Sequence, residues 1–343
     1  MLNSEYFLAI VFIGLILILV KRSGGVVLFV VAIMLAVRSN EDEYSRLVQQ
    51  YPPFSDGVYS FFHQFGTFGE KGPYMWAINT FVNEFSLPER SVLFITTAVT
   101  WICIFILLKK LDVPRNWVLL LLFANSIFIT SMSGLRMNLS TAIVLLSAVR
   151  LYSGSKVGGW WGLVAAVAVH YVAILGLVAV VLRRCFTNWP VFFLLFFFTL
   201  SLTGLPAWVL ENFTTGIVES YLRSNYASAL EGVDYLRFVY GFFLVLAVWM
   251  RREFIFSQFG FSRLFFDLYV FGLSVGFLLR DFGIFSYRSL AVFSPLEAIL
   301  LVYLIMALRG KGGVSSLLVF GFSLFFGYVN FVVLDRLQPY GIW

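Results

Sequence analysis

Arg136 lies in Ser131-Met132-Ser133-Gly134-Leu135-Arg136-Met137-Asn138, a short polar interval between two apolar runs, with Ser140 close behind. A guanidinium is a planar fork of N–H donors that matches phosphate oxygens in pairs. An arginine here, with an amide and a hydroxyl beside it, can hold a phosphate, or it can snorkel to lipid headgroups. A second group is Arg280-Asp281 with Tyr287-Arg288, followed by Ser289-Leu290-Ala291-Val292-Phe293. Asp281 offers Arg280 a structural counterion, while Arg288 opens an apolar run. His170 closes the small apolar run Ala165-Ala166-Val167-Ala168-Val169. A lone histidine on an apolar face is more often a hydrogen-bonded core residue, and with His63 as the only other histidine a His-based metal site is not expected. The fourth group is acidic: Arg38-Ser39-Asn40-Glu41-Asp42-Glu43-Tyr44, with Glu70 further on. A carboxylate beside a sugar hydroxyl can take its proton as general base; a solvated acidic loop is the plain alternative.

These groups sit in an unusually apolar chain. Of 343 residues, 60% are hydrophobic and 12% charged, and mean hydropathy is +0.91. A soluble domain carries about 25% charged residues, so most of this surface is expected to face lipid. Cys103 and Cys185 lie in or beside apolar segments and make neither metal spacing nor a disulfide framework. The net charge of +6 reports topology before any anionic partner, so nucleic-acid binding is not expected. Candidate spans, at roughly 20 residues each, are 4–20, 24–38, 88–108, 114–133, 137–153, 188–210, 235–250, 263–280, 288–308 and 313–334. The first, ending in Lys21-Arg22 with no small-residue cleavage site, reads as a span. Ser86-Leu87-Pro88-Glu89 reads as an N-cap serine, an early proline and a capping-box glutamate opening the third span, and Asp112-Val113-Pro114 opens the fourth similarly. The expectation is an all-α, polytopic transmembrane bundle of about 10–12 membrane segments, a single integral membrane domain over 1–343.

Charge orients it. Lys21-Arg22, Lys109-Lys110, Arg115, Arg150, Lys156, Arg183-Arg184, Arg251-Arg252, Arg309 and Lys311 sit at short turns and are expected in the cytoplasm. Acids gather at 41–43, Asp56, Glu70, Glu84, Glu89, Glu211, Glu219, Glu231 and Asp234, expected outside. The two signals conflict if the apolar segment 158–182 crosses once, and agree if it enters and returns as two half-helices hinged near His170. Irregular backbone at membrane depth survives only inside protein or along a wet cavity, which would place His170 at a cavity. A straight helix with a weak charge rule is the other reading. With the break, both termini lie outside, 39–87 is the largest extracytoplasmic loop with a surface helix over 74–85, and 211–234 is the second. Arginines, a histidine and carboxylates then share the outer face. That set suits a substrate with anionic phosphates and many hydroxyls, such as a lipid-linked pyrophosphate glycan.

The motifs run in a recognisable order. Arg38 precedes Asp42-Glu43-Tyr44; Glu70-Lys71-Gly72-Pro73-Tyr74 leads into a helix; Gly134-Leu135-Arg136-Met137-Asn138, Lys156 and Leu163 to His170 form a central signature; Tyr287-Arg288-Ser289-Leu290-Ala291-Val292-Phe293 is a late one, and Pro339-Tyr340 lies near the end. In this order the chain resembles the EpsG family, counted among the Wzy-type polymerases of bacterial exopolysaccharide and O-antigen. It departs where that family has Arg-Gln and this chain has Arg136-Met137, and where the family has His-Lys/Gln-Ser and this chain has His170-Tyr171-Val172.

The resemblance implies a GT-C-like membrane glycosyltransferase of the bacterial inner membrane, working at the periplasmic face. It would join repeat units carried on undecaprenyl pyrophosphate. Arg136 and Arg288, with Arg280, would hold the pyrophosphate, and His170 would bind phosphate or glycan. Asp42 or Glu43 would take the acceptor proton, and Arg38, Tyr44, Glu70, Tyr74 and Asn138 would line the glycan side. It implies a lipid-linked donor and acceptor, a Wzz-like chain-length regulator as partner, and neither metal nor organic cofactor. An O-antigen ligase, another lipid-linked glycosyltransferase, and a lipid-linked glycan flippase are the competing readings. The early large loop weighs against a ligase and the lack of an internal repeat against a transporter. A membrane sugar O-acetyltransferase would prefer a cytoplasmic site.

Overall fold

A computed structural model of the chain describes residues 72–89, 91–125, 135–188, 190–213, 232–310 and 312–328. The spans expected at 4–20 and 24–38 and loop residues 39–71 lie outside these, as do 214–231 of the second expected loop. The described residues are helical and contain no β-strand. They belong to two compact units, Met1–Ala173 with Gly312–Trp343, and Ile174–Lys311.

The first unit contains α1 (Gly72–Glu84), α2 (Ser91–Lys109), α3 (Arg115–Asn125), α4 (Leu135–Tyr152), α5 (Lys156–Val169), a 3₁₀ turn (Tyr171–Ala173) and α13 (Gly313–Tyr328). α2 carries no charge before Lys109, so the helix is the only way its backbone can stay hydrogen-bonded in an apolar medium. Its hydroxyls follow the same logic. Thr96 and Thr100 donate to the carbonyls of Val92 and Thr96, both at 2.7 Å. α1 lays Met75, Ile78 and Val82 into the unit beside Val92 and leaves Phe81 and Phe85 exposed. α4 packs closely against α5. Gly159 and Gly162 permit it: a Cβ at Gly159 would meet the backbone nitrogen of Leu151 at 3.1 Å, and one at Gly162 would meet the Ser147 Cβ at 3.1 Å.

Ser86 does not cap α2 as the sequence suggests; it ends α1. It takes a left-handed φ of 49°, its N–H donates to Asn83, and the Leu87 N–H reaches the Val82 carbonyl at 2.9 Å. That pair of bonds is a Schellman closure. α2 starts three residues past Pro88, whose carbonyl accepts the Ser91 N–H. The same closure ends α4 at Gly154, where φ is 90°.

The second unit contains α6 (Ile174–Asn188), α7 (Pro190–Leu202), α8 (Leu205–Phe213), α9 (Gly232–Met250), α10 (Arg252–Gln258), α11 (Ser262–Leu278) and α12 (Gly283–Arg309). The single span expected at 188–210 is therefore two helices, and the ends of the loop expected at 211–234 are helical. Gly204, at φ 68°, turns the chain between α7 and α8. Thr203 finishes both ends: its hydroxyl donates to the Leu200 carbonyl at 2.7 Å and accepts the Leu205 N–H at 3.2 Å. α12 is the unit's central helix, touched by α6, α9, α10 and α11, with Leu290, Val292, Phe293, Leu296 and Leu300 all buried. Pro295 lies inside it and removes the donor for the Ala291 carbonyl. The Ser294 hydroxyl fills that vacancy at 3.0 Å.

α11 meets α12 through Gly272 and Gly276, the small-xxx-small spacing that lets apolar helices approach. The Ser286 hydroxyl crosses the gap to the Gly276 carbonyl at 2.9 Å. A Cβ at Gly272 would lie 2.9 Å from the Phe293 Cβ and closer still to its ring. Gly272→Ala should therefore cost ~1–3 kcal/mol of stability by overpacking. Gly321→Ala on α13, where nothing lies within 4 Å, should leave thermal unfolding in detergent unchanged or slightly raised.

Candidate functional site

In the first unit, Arg136 occupies the first turn of α4 and is half-buried. Asn138 follows, 9% exposed, and its Nδ2 has no hydrogen-bond partner among the described residues. The Thr141 hydroxyl, on the same helix face and 3% exposed, is likewise unpartnered. So are the Thr97 hydroxyl of α2, the Thr80 hydroxyl of α1 and the Oδ1 of Asn79, whose Nδ2 donates to the Met75 carbonyl at 2.6 Å. α2 packs against both α1 and α4. A buried polar atom left unpaired costs about 1–3 kcal/mol, and native structures contain few of them. Among the described residues, five such atoms thus lie on three adjoining helices. Tyr74 of α1 shares a 2.7 Å hydrogen bond with the Thr96 hydroxyl of α2.

His170 stands where the sequence analysis expects a break. α5 ends at Val169, His170 is extended with φ −155° and ψ 125°, and a 3₁₀ turn precedes α6. The imidazole helps to make that break. Its Nδ1 accepts the Val172 N–H at 3.2 Å, and its ring stacks on Tyr171 with centroids 4.7 Å apart. That bond leaves Nε2 as the nitrogen that carries a proton on the neutral ring.

In the second unit, Arg280 and Asp281 form the turn between α11 and α12, with Nε 3.5 Å from Oδ1. The structural pairing offered by their sequence is thus present. Arg288 lies in the second turn of α12, half-buried. Arg38, Asp42, Glu43, Tyr44 and Glu70 lie outside the described residues. Among the described residues no group of three His, Cys, Asp or Glu side chains is placed to hold a metal ion.

Sequence reasoning missed the unit's most deeply buried charges. Glu297, on α12, is 1% exposed, and Arg237 of α9 approaches its Oε1 at 3.6 Å. The Tyr269 hydroxyl of α11 donates to the same oxygen at 3.3 Å. Arg237 also lies over the Tyr287 ring, 5.9 Å from its centroid, within cation–π range. The buried hydroxyl of Tyr240 lies one turn along α9. A second pair joins Asp267 of α11, 2% exposed, to Arg183 of α6 at 3.5 Å. The available signal was an acid inside an otherwise apolar run, in Leu264 to Tyr269 and in Leu296 to Leu301.

Among the described residues, Ser91–Lys109 and Phe285–Leu308 are long and apolar enough to cross a membrane, and five shorter helices are apolar. Phe192, Leu195 and Phe196 on α7 and Val157, Trp161 and Val164 on α5 are exposed. Exposed apolar side chains of this kind suit lipid and are consistent with a helical membrane protein. The profile of the EpsG family matches residues 27–341. The chain belongs to that family, which marks it as a polysaccharide-polymerase-like membrane protein. No curated protein and no solved structure matches it.

The His170 bond to Val172 yields a direct check. Asparagine can offer its carbonyl oxygen where Nδ1 now sits. His170→Asn should unfold within ~0.5 kcal/mol of the parent and His170→Ala about 1 kcal/mol below it, read as thermal unfolding in detergent.

Proposed function

We propose that this protein is a glycosyltransferase that polymerises lipid-linked oligosaccharide repeat units into O-antigen or exopolysaccharide. The observation that carries this reading is the family match over 27–341, nearly the whole chain. The donor is a glycan on undecaprenyl pyrophosphate, the acceptor a second lipid-linked unit, and the site faces the periplasm across the bacterial inner membrane. A Wzz-like chain-length regulator is the proposed protein partner.

In the reaction the bond from the donor's anomeric carbon to the pyrophosphate oxygen breaks. A bond to an acceptor hydroxyl oxygen forms. The hydroxyl proton passes to a base, assigned to Asp42 or Glu43, and the lipid pyrophosphate departs with the bonding electrons. Pyrophosphate leaves well, so the protein mainly has to align two lipids and receive negative charge. Arg136 and Arg288 are assigned to the pyrophosphate oxygens, with Arg280 beside them in sequence role and His170 as a phosphate or glycan contact. Arg38, Tyr44, Glu70, Tyr74 and Asn138 are assigned to the glycan. The unpartnered Asn138 amide and Thr141 hydroxyl support the assignment on α4: a polyhydroxylated or phosphorylated ligand beside Arg136 supplies the acceptors and donors they lack.

Removing one preorganised donor to a developing anion typically costs 10²–10³ in rate. Arg288→Ala and Arg136→Ala should each lower polymer formation by roughly that factor. Surface polysaccharide from cells carrying either variant should collapse from long chains to single repeat units at unchanged protein level. Unaltered chain lengths in both variants would contradict the assignment.

A further inference from the structure

The buried pair Arg237–Glu297 belongs to none of the sequence motifs, yet Arg237 sits against Tyr287 of the late one. Three observations bear on what it does. The first is its setting. Glu297 and Tyr269 lie among the buried apolar side chains of α11 and α12, with the Glu297 side chain 2% exposed and that of Arg237 17%. The guanidinium is thus the member that reaches an accessible surface, with the carboxylate behind it. The second is location. Phe238 packs against Phe277 with tilted rings 4.6 Å apart at their centroids, which sets the first turns of α9 beside the end of α11. Arg237 itself lies over Tyr287 in the second turn of α12, and Arg288 is the next residue. Arg237, Arg280 and Arg288 are therefore gathered at one end of this unit. The third is preorganisation. Glu297 and the Tyr287 ring hold the guanidinium from two sides, and Tyr269 in turn bonds Glu297.

An ion pair inside apolar helices is weak evidence for stability, because desolvation offsets its attraction. Charges within spans are usually kept for function. We infer that Arg237 is an anion-binding residue of the second unit, contacting the pyrophosphate of a polyprenyl-linked substrate, with Glu297 as the positioning residue that aims it. This rests on the polymerase reading above. A planar fork held in place offers paired N–H donors to adjacent phosphate oxygens without ordering cost at the moment of binding.

The test uses the full chain in phospholipid nanodiscs, with undecaprenyl pyrophosphate as the binding probe and a thermal melt as the folding check. Replacing a buried ion pair by apolar residues of similar volume is often neutral or stabilising. Arg237→Met with Glu297→Met should therefore melt at or above the parent and yet bind the probe at least ~10-fold more weakly, the factor that about 1.4 kcal/mol of lost binding produces. If the double variant folds and binds like the parent, the pair is packing and the inference fails. Arg237→Lys decides the matter should the double variant not fold. It keeps the charge beside Glu297 and loses the fork, so binding should weaken several-fold; parent-like binding would overturn the assignment. Glu297→Gln should weaken binding in the parent but add nothing on the Arg237→Lys background, because Glu297 acts through Arg237. Additive losses would remove its positioning role. A parent chain that does not bind the probe would overturn the polymerase reading itself, whereas a parent that binds it alongside a parent-like double variant overturns only the role of Arg237.

Discussion

Every polar group in an apolar helix must be satisfied from within the protein, and this condition organises what is seen here. Backbone groups meet it by helix formation, and hydroxyls by bonding to the preceding turn, as Thr96, Thr100 and Ser274 do. Where proline removes a backbone donor, Ser294 replaces it. The charged groups cannot be met locally. Glu297 draws Arg237 and Tyr269 from two other helices, and Asp267 draws Arg183 from a third. These longer links tie α9 and α11 to the central helix α12, and α6 to α11.

The exceptions to the condition are as informative as the rule. α4, α2 and α1 contain buried amides and hydroxyls with no partner among the described residues. Such groups would be removed by any selection for stability alone. Two of them, Asn138 and Thr141, share α4 with Arg136, and the proposal is that a ligand rich in hydroxyls and phosphate oxygens completes them. The family to which the chain belongs implies lipid-linked sugar substrates in the membrane.

Much of the helical order was legible in the sequence, because long apolar runs between charged turns leave few alternatives. The break at His170 was legible through an indirect route: Lys156 and Arg183-Arg184 could not share a side with one straight crossing between them. The bond at the break, an imidazole accepting the Val172 N–H, depends on side-chain geometry that no spacing rule carries. Ser86 misled because serine, proline and glutamate in sequence mimic a helix start, whereas the backbone uses Ser86 to end the preceding helix. The split at Gly204 was hidden inside a run of high hydropathy. The Arg237–Glu297 and Arg183–Asp267 pairs were missed because each joins residues far apart in sequence, and a single acid barely changes the hydropathy of its own window. Of the expected site residues, Arg136, Asn138 and Tyr74 fall on the polar helices of the first unit, His170 at its break, and Arg280 and Arg288 around the start of α12.

The proposal that matters most is that this chain forms glycosidic bonds between lipid-linked repeat units. The most direct measurement supplies the purified protein in vesicles with a single lipid-linked repeat unit and follows the products by mass. The account predicts a ladder spaced by one repeat unit, each product still carrying its lipid pyrophosphate, with one undecaprenyl pyrophosphate released per bond formed. Substrate that crosses the bilayer without lengthening, or glycan that moves only to an acceptor lacking a lipid pyrophosphate, would contradict it.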